Sequence, residues 1–177
     1  MKKSLFLSCL FLMSCGVTKQ TLSDDKVVKL KEHIDSNKFH IVSRSARPLN
    51  TNSMQQLAAT NLLANGSSAS FIDLQTTSNY FIVNEEQLSV SLPFYGEIRT
   101  SGYKNNVSAI EFDGKPDKSS VHFNESKNRY ELNYEFKNNN DYYKVRVEVY
   151  VNNAKTRIYV ISGRRTSISY NGVVQDI

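Results

Sequence analysis

This chain of 177 residues has no tryptophan, two cysteines, three histidines, three prolines and seven glycines. So little glycine and proline excludes collagen-like and proline-rich disordered chains. Three histidines beside 17 acidic residues leave little room for a multi-metal centre. His33, His40 and His122 fall on different predicted elements without HxxxH or HxH spacing, so neither a metal site nor a cofactor is expected. There is no GxSxG, no P-loop and no distinguishable Ser-His-Asp set, and the chain reads as non-enzymatic. A hydrophobic fraction of 40% and a mean hydropathy of −0.44 fit one soluble globular domain.

What is present begins at the N-terminus. Met1-Lys2-Lys3 precedes an apolar run over residues 4–14. Eleven residues are too few to span a bilayer, which takes about 20, and the layout is that of a secretory signal. The run ends in Leu12-Met13-Ser14-Cys15-Gly16. This resembles the lipobox of bacterial lipoproteins, with Leu at −3, a small residue at −1 and then Cys. The resemblance implies cleavage before Cys15 and lipidation there. Cys9, the rival acceptor, would leave a run too short for export. Residues 1–14 are then the signal peptide, 15–22 a lipidated tether and 23–177 a single domain. The charge falls from +5 to +3 once Lys2 and Lys3 leave, and no thiol remains for catalysis, zinc or disulfides. Three acyl chains exceed the two signals that stable anchoring takes. Gly16 after the acceptor, rather than an inner-membrane retention Asp, points to the outer membrane, with its periplasmic or surface face left open. The partner through the lipid is the membrane; export and a low mature charge argue against nucleic acid.

Along the mature chain, Ser23 stands as an N-cap before Asp24 and Asp25, with Leu22 and Val27 placed for a hydrophobic staple. Val27, Leu30 and Ile34 recur at helical spacing, which predicts one amphipathic helix over about residues 24–36. It would serve as a lid on a sheet or as a membrane-surface element. The period then changes to two. Strands are expected at 39–48, 71–74, 80–83, 87–92, 107–112 and 121–123, with a loop over 93–104. Residues 54–63 fit either a strand or a short helix.

The clearest pattern lies between Asn128 and Ile161. Tyr130, Leu132, Tyr134 and Phe136 alternate with polar neighbours, as do Tyr143, Val145, Val147, Val149 and Val151, and then Thr156, Ile158 and Val160. The apolar face moves from even to odd to even numbers. Facing pairs must therefore sum to an odd number, which requires even-length loops. A turn at Asn152-Asn153 sets Glu148 opposite Arg157. One at Asn138-Asn139 sets Arg129 opposite Glu148 and Glu131 opposite Arg146. The expected fold is all-β: an antiparallel barrel or half-barrel, or alternatively a β-sandwich, with one N-terminal helix.

Leu92-Pro93-Phe94-Tyr95-Gly96 resembles the LPYFG motif of the domain of unknown function 4251, with the two aromatics exchanged. Arg165-x-x-Ile168-x-Tyr170-x-Gly172 resembles that family's ending. The resemblance covers nearly all of the mature chain. It implies a lipocalin-like barrel or half-barrel and no assigned activity. Both motifs read first as fold-defining corners, with Tyr170 plugging a barrel end, and second as a ligand rim. The candidate ligand or rim residues are Phe94, Tyr95, Tyr130, Tyr134, Arg165 and Tyr170. Tyr142, Tyr150 and Tyr159 fall on the polar strand face, and Arg146, Arg157, Arg164 and Arg165 suggest a cationic patch. Two readings follow for a monomeric domain: a barrel enclosing a small apolar or amphiphilic molecule, or an envelope module that meets a protein or glycan with its Tyr/Arg face.

Overall fold

The structure, a computed structural model, describes residues 21–60, 62–99, 109–138 and 140–177. The signal peptide, Cys15 and most of the tether lie outside the described residues. So do residues 100–108, which hold the second part of the expected 93–104 loop and the first two residues of the strand expected at 107–112.

In chain order the elements are α1 (Asp24–Asp35), β1 (Lys38–Pro48), α2 (Asn52–Ala59), β2 (Ile72–Asp73), β3 (Tyr80–Asn84), β4 (Gln87–Pro93), β5 (Ala109–Gly114), β6 (Lys118–Asn124), β7 (Arg129–Asn138), β8 (Asp141–Tyr150), β9 (Lys155–Ser162) and β10 (Ile168–Val174). The strands form one antiparallel sheet in the order β5-β4-β3-β1-β10-β9-β8-β7-β6, with β2 beside β1. The sheet curls into a half-barrel. Its edge strands β5 and β6 approach without pairing, and Phe112 of β5 stacks on Phe136 of β7 with centroids 4.3 Å apart.

Parity works as expected. The β7–β8 connection is residues 139–140 and the β8–β9 connection residues 151–154, both even. Glu148 faces Arg157. The left-handed residue of the second turn is Ala154 (φ 52°), not an asparagine. The β7–β8 register differs from expectation by two residues. Its left-handed position is Asn140 (φ 62°), so Arg129 faces Tyr150, Glu131 faces Glu148 and Asn133 faces Arg146. Two carboxylates directly opposite repel. Arg129 relieves this by bridging them: its Nη2 lies 2.7 Å from Glu131 and its Nη1 3.0 Å from Glu148.

The inward positions form one continuous core that includes Ile41, Phe81, Leu88, Leu132, Phe136, Val147 and Ile158. Each such side chain contributes about 1.5–3 kcal/mol by leaving water. Helix α1 closes one end of it. Leu30 and Ile34 are fully buried, Leu22 and Val27 pack at the margin as the staple pattern predicts, and Asn37 (φ 52°) turns the chain into β1. Ser23 takes the N-cap position but its side chain makes no capping bond. The turns of three hairpins gather at this helix. The Leu22 N–H donates to the Asn152 carbonyl (2.7 Å), the Glu85 N–H donates to the Asn37 carbonyl (2.7 Å), and the Lys31 ammonium lies 5.3 Å from the Phe123 ring. Residues 54–59 of the ambiguous 54–63 stretch belong to α2, capped by Thr51, whose hydroxyl accepts from the Met54 N–H at 3.3 Å.

Candidate functional site

The first sequence motif and residues 165–170 of the second meet at the end of the half-barrel opposite α1, while Gly172 lies further along β10. The chain after β4 forms a bridge at Ile98 with Arg165. The Thr166 N–H donates to the Glu97 carbonyl (3.0 Å), and the Glu97 N–H donates to the Thr166 hydroxyl (3.1 Å). Gly96 is required there, because a Cβ would collide with that same hydroxyl. The Tyr170 hydroxyl donates to the Pro93 carbonyl at 2.8 Å, and burial pushes it well above the usual tyrosine range. The Arg165 guanidinium lies 4.9 Å from the Phe94 ring and 3.9 Å from Asp141 Oδ2, with both charged side chains only 2% exposed. Asp141 also accepts from the Ser162 hydroxyl (2.5 Å) and the Tyr142 N–H (2.9 Å). A buried pair held this way resists loss of either partner, since an uncompensated charge would remain.

Three candidates, Phe94, Arg165 and Tyr170, therefore converge in one interlock between distant segments, and Tyr95, next to Phe94 in the chain, is half-buried against the core. Tyr130 and Tyr134 do not join them. Tyr130 stands under α1, where burial and then the bond to Asp35 push its hydroxyl up to about 12. Tyr134 sits midway along the wall of β7. Arg165 is also absent from any outer cationic patch, because it is turned into the interlock.

The outer face carries a different cluster. Antiparallel pairing sets Asn133, Arg146, Tyr159, Ser169 and Arg47 in one row across β7, β8, β9, β10 and β1. Beside it run Glu135, Lys144 and Ile161. A groove of about 670 Å³ follows these rows. Arg146 covers the Tyr159 ring at 4.9 Å, while the Tyr159 hydroxyl accepts from Arg157 at 3.2 Å. Glu135 is occupied by the Tyr142 hydroxyl and by Lys118 (2.9 Å), and these hold its carboxyl below the usual range. The groove thus has three cations, Arg47, Lys144 and Arg146, against one engaged carboxylate. Two apolar side chains stand uncovered in it, Leu49 at 46% and Ile161 at 59% exposure.

The model of the domain of unknown function DUF4251 matches residues 21–174. The chain belongs to this family. Among solved structures, a DUF4251 family protein from Bacteroides eggerthii DSM 20697, a crystal structure at 1.95 Å resolution, superposes with a TM-score of 0.53. The match covers 85% of each chain at 8% identity, so it speaks to the fold alone. A search of curated proteins finds no match.

Within this DUF4251 domain the first motif turns the chain at Gly96, whereas the second, expected to be a corner as well, runs from the turn at Arg165 into the central strand β10. Sequence reasoning did place Tyr159 and Arg146 on one polar face. It missed Arg47, Leu49 and Ser169, because their side of the groove comes from β1 and β10. No strand is predicted at 168–174, where a serine, an asparagine and a glycine interrupt the apolar pattern. A signal was available: Ile168, Tyr170, Gly172 and Val174 alternate, and all four are buried.

Proposed function

We propose that the protein is a non-enzymatic, monomeric envelope lipoprotein, held at the outer membrane through lipid on Cys15, that docks an acidic segment of another envelope protein in its outer-face groove. One observation carries this reading. The inward face is a packed core, whereas Arg146, Tyr159, Arg47, Leu49 and Ile161 stand together on the outside. Arginine, tyrosine and exposed aliphatic side chains side by side are what protein interfaces use as anchors. The surplus of cations favours an acidic partner. An apolar ligand inside the half-barrel would have to displace Leu132 and Val147, which are fully buried.

Site-specific photo-crosslinking in the native envelope tests the docking. A crosslinker at Ile161 captures a defined protein, whereas one at Val28, exposed on α1 far from the groove, does not. Arg146→Glu abolishes the capture. Equal capture from both positions, or capture that survives Arg146→Glu, refutes the docking surface. Fatty-acid labelling that persists in Cys15→Ala refutes the anchor.

A further inference from the structure

The floor of the outer-face groove is β10, whose outward side chains there are small. Ser169 lies between Arg47 of β1 and Tyr159 of β9. Ile168 faces both Pro48 and Val160, so one step further Ser167 falls between Leu49 and Ile161. All six of these outward residues line the groove. Its walls, β1 and β9, stand two strand spacings apart, roughly 10 Å between backbones. A helix with its side chains is about 10–12 Å across and would ride above such walls. A single file of side chains enters between them.

The groove therefore has two levels. At the first, the exposed side chains of Leu49 and Ile161 flank Ser167. At the second, Arg47 faces Tyr159 across Ser169, and Arg146 reaches over the Tyr159 ring from β8. Arg157 closes the groove beyond this level. Its Nε donates to Asn171 Oδ1 (3.2 Å), the next outward group of β10, and its Nη1 donates to the Tyr159 hydroxyl (3.2 Å). Three guanidinium groups thus surround the second level. Glu135, the acidic residue of the lining, stands in the other row, two strands from Ile161 with Lys144 between them.

We propose that the docked segment is extended, lies along β10, and carries an aliphatic and an acidic residue two positions apart. This rests on the docking reading above and names the kind of segment that reading takes. The aliphatic side chain sits between Leu49 and Ile161, and the carboxylate between Arg47 and Arg146. A carboxylate has about four lone-pair sites, enough to accept from both guanidinium groups and from the Ser169 hydroxyl. The spacing follows from the sheet. Outward positions repeat along each strand every two residues, at roughly 6.6–6.8 Å, and so do side chains on one side of an extended segment. Three positions apart, the acidic residue would point away from the groove; a helical segment would need four.

The test titrates the full chain in detergent with N-acetylated, C-amidated peptides, followed by backbone amide shifts in NMR. Each peptide holds one leucine and, C-terminal or N-terminal to it, one aspartate in an uncharged serine-glycine background, two, three or four positions apart. A peptide with spacing two binds about tenfold tighter than those with three or four, as one charge-assisted contact provides. Arg47→Glu combined with Arg146→Glu reverses the preference, so that lysine in place of aspartate binds. Ser169→Phe fills the floor from its outward position and abolishes binding while the thermal midpoint is kept. The proposal is overturned if no peptide saturates, if spacing four binds as well as spacing two, if the doubly reversed protein does not exchange aspartate for lysine, or if Ser169→Phe binds like the parent. Any of these results alongside Arg146-dependent capture from Ile161 removes the extended motif and leaves the docking surface standing. Loss of that capture removes the docking reading itself.

Discussion

Gly172 offers the sharpest test of the packing argument. It lies in β10 opposite Ser43 of β1, where the register shifts between Ser43 and Ser45. A Cβ added there would stand 2.3 Å from the Val42 carbonyl oxygen and 2.9 Å from the Ser43 Cα. Both neighbours are backbone and cannot rotate aside. Reaching an ordinary contact of 3.4 Å requires β1 and β10 to part by about 1 Å. That displacement takes a ladder hydrogen bond beyond the range in which it holds. Gly172→Ala should therefore lose about 3 kcal/mol, the upper end of the overpacking range. For a domain of this size that is a fall of roughly 6–12 °C in thermal midpoint. Two other glycines calibrate the result. At Gly163 an added Cβ meets only Asp141 Oδ1, at 3.5 Å, so Gly163→Ala should be neutral or gain up to about 1 kcal/mol through the unfolded state. At Gly66 nothing lies within 4 Å but φ is +81°, so Gly66→Ala should lose about 1 kcal/mol from the backbone alone. Thermal and urea unfolding followed by circular dichroism measure all three. If Gly172→Ala loses no more than Gly66→Ala, the close approach of β10 to β1 is not as described.

Three further expectations follow from the same contacts. Asn79 holds both backbone groups of Ser43, accepting from its N–H (2.8 Å) and donating to its carbonyl (2.9 Å), so Asn79→Ala should lose about 2–4 kcal/mol in urea unfolding; a loss under 1 kcal/mol would show that the bulge satisfies itself. Tyr170→Phe removes the bond to the Pro93 carbonyl and should cost about 1–3 kcal/mol, with faster proteolysis between β4 and β5 as the local signature; an unchanged midpoint would mean that the interlock does not need it. Arg129 holds the Glu131 carboxyl below its usual range, first by hydrogen bonding and then by charge. A carboxyl depressed in the folded state contributes stability above its unfolded pKa and loses it as the pH falls through the folded one. The deficit of Arg129→Leu should therefore be larger at about pH 7 than at about pH 3, and an equal deficit at both would contradict the bridging role.

The sequence by itself determined what depends on neighbours within a few residues. Alternation of Tyr130 through Val160 settled which side chains face inward and which parity the loops must have. Helical spacing of Val27, Leu30 and Ile34 located α1, and the first family motif marked the corner at Gly96. These are local consequences of two periodicities and of turn chemistry. Only the tertiary structure decided which strands lie side by side. It put β10 at the centre of the sheet beside β1, turned Arg165 inward to Asp141 rather than outward to Arg146, and slid β7 against β8 by two residues. It also left β5 and β6 unjoined, which uncovers Val121. Closure depends on the summed twist and register of nine strands, and no single strand's sequence carries that sum.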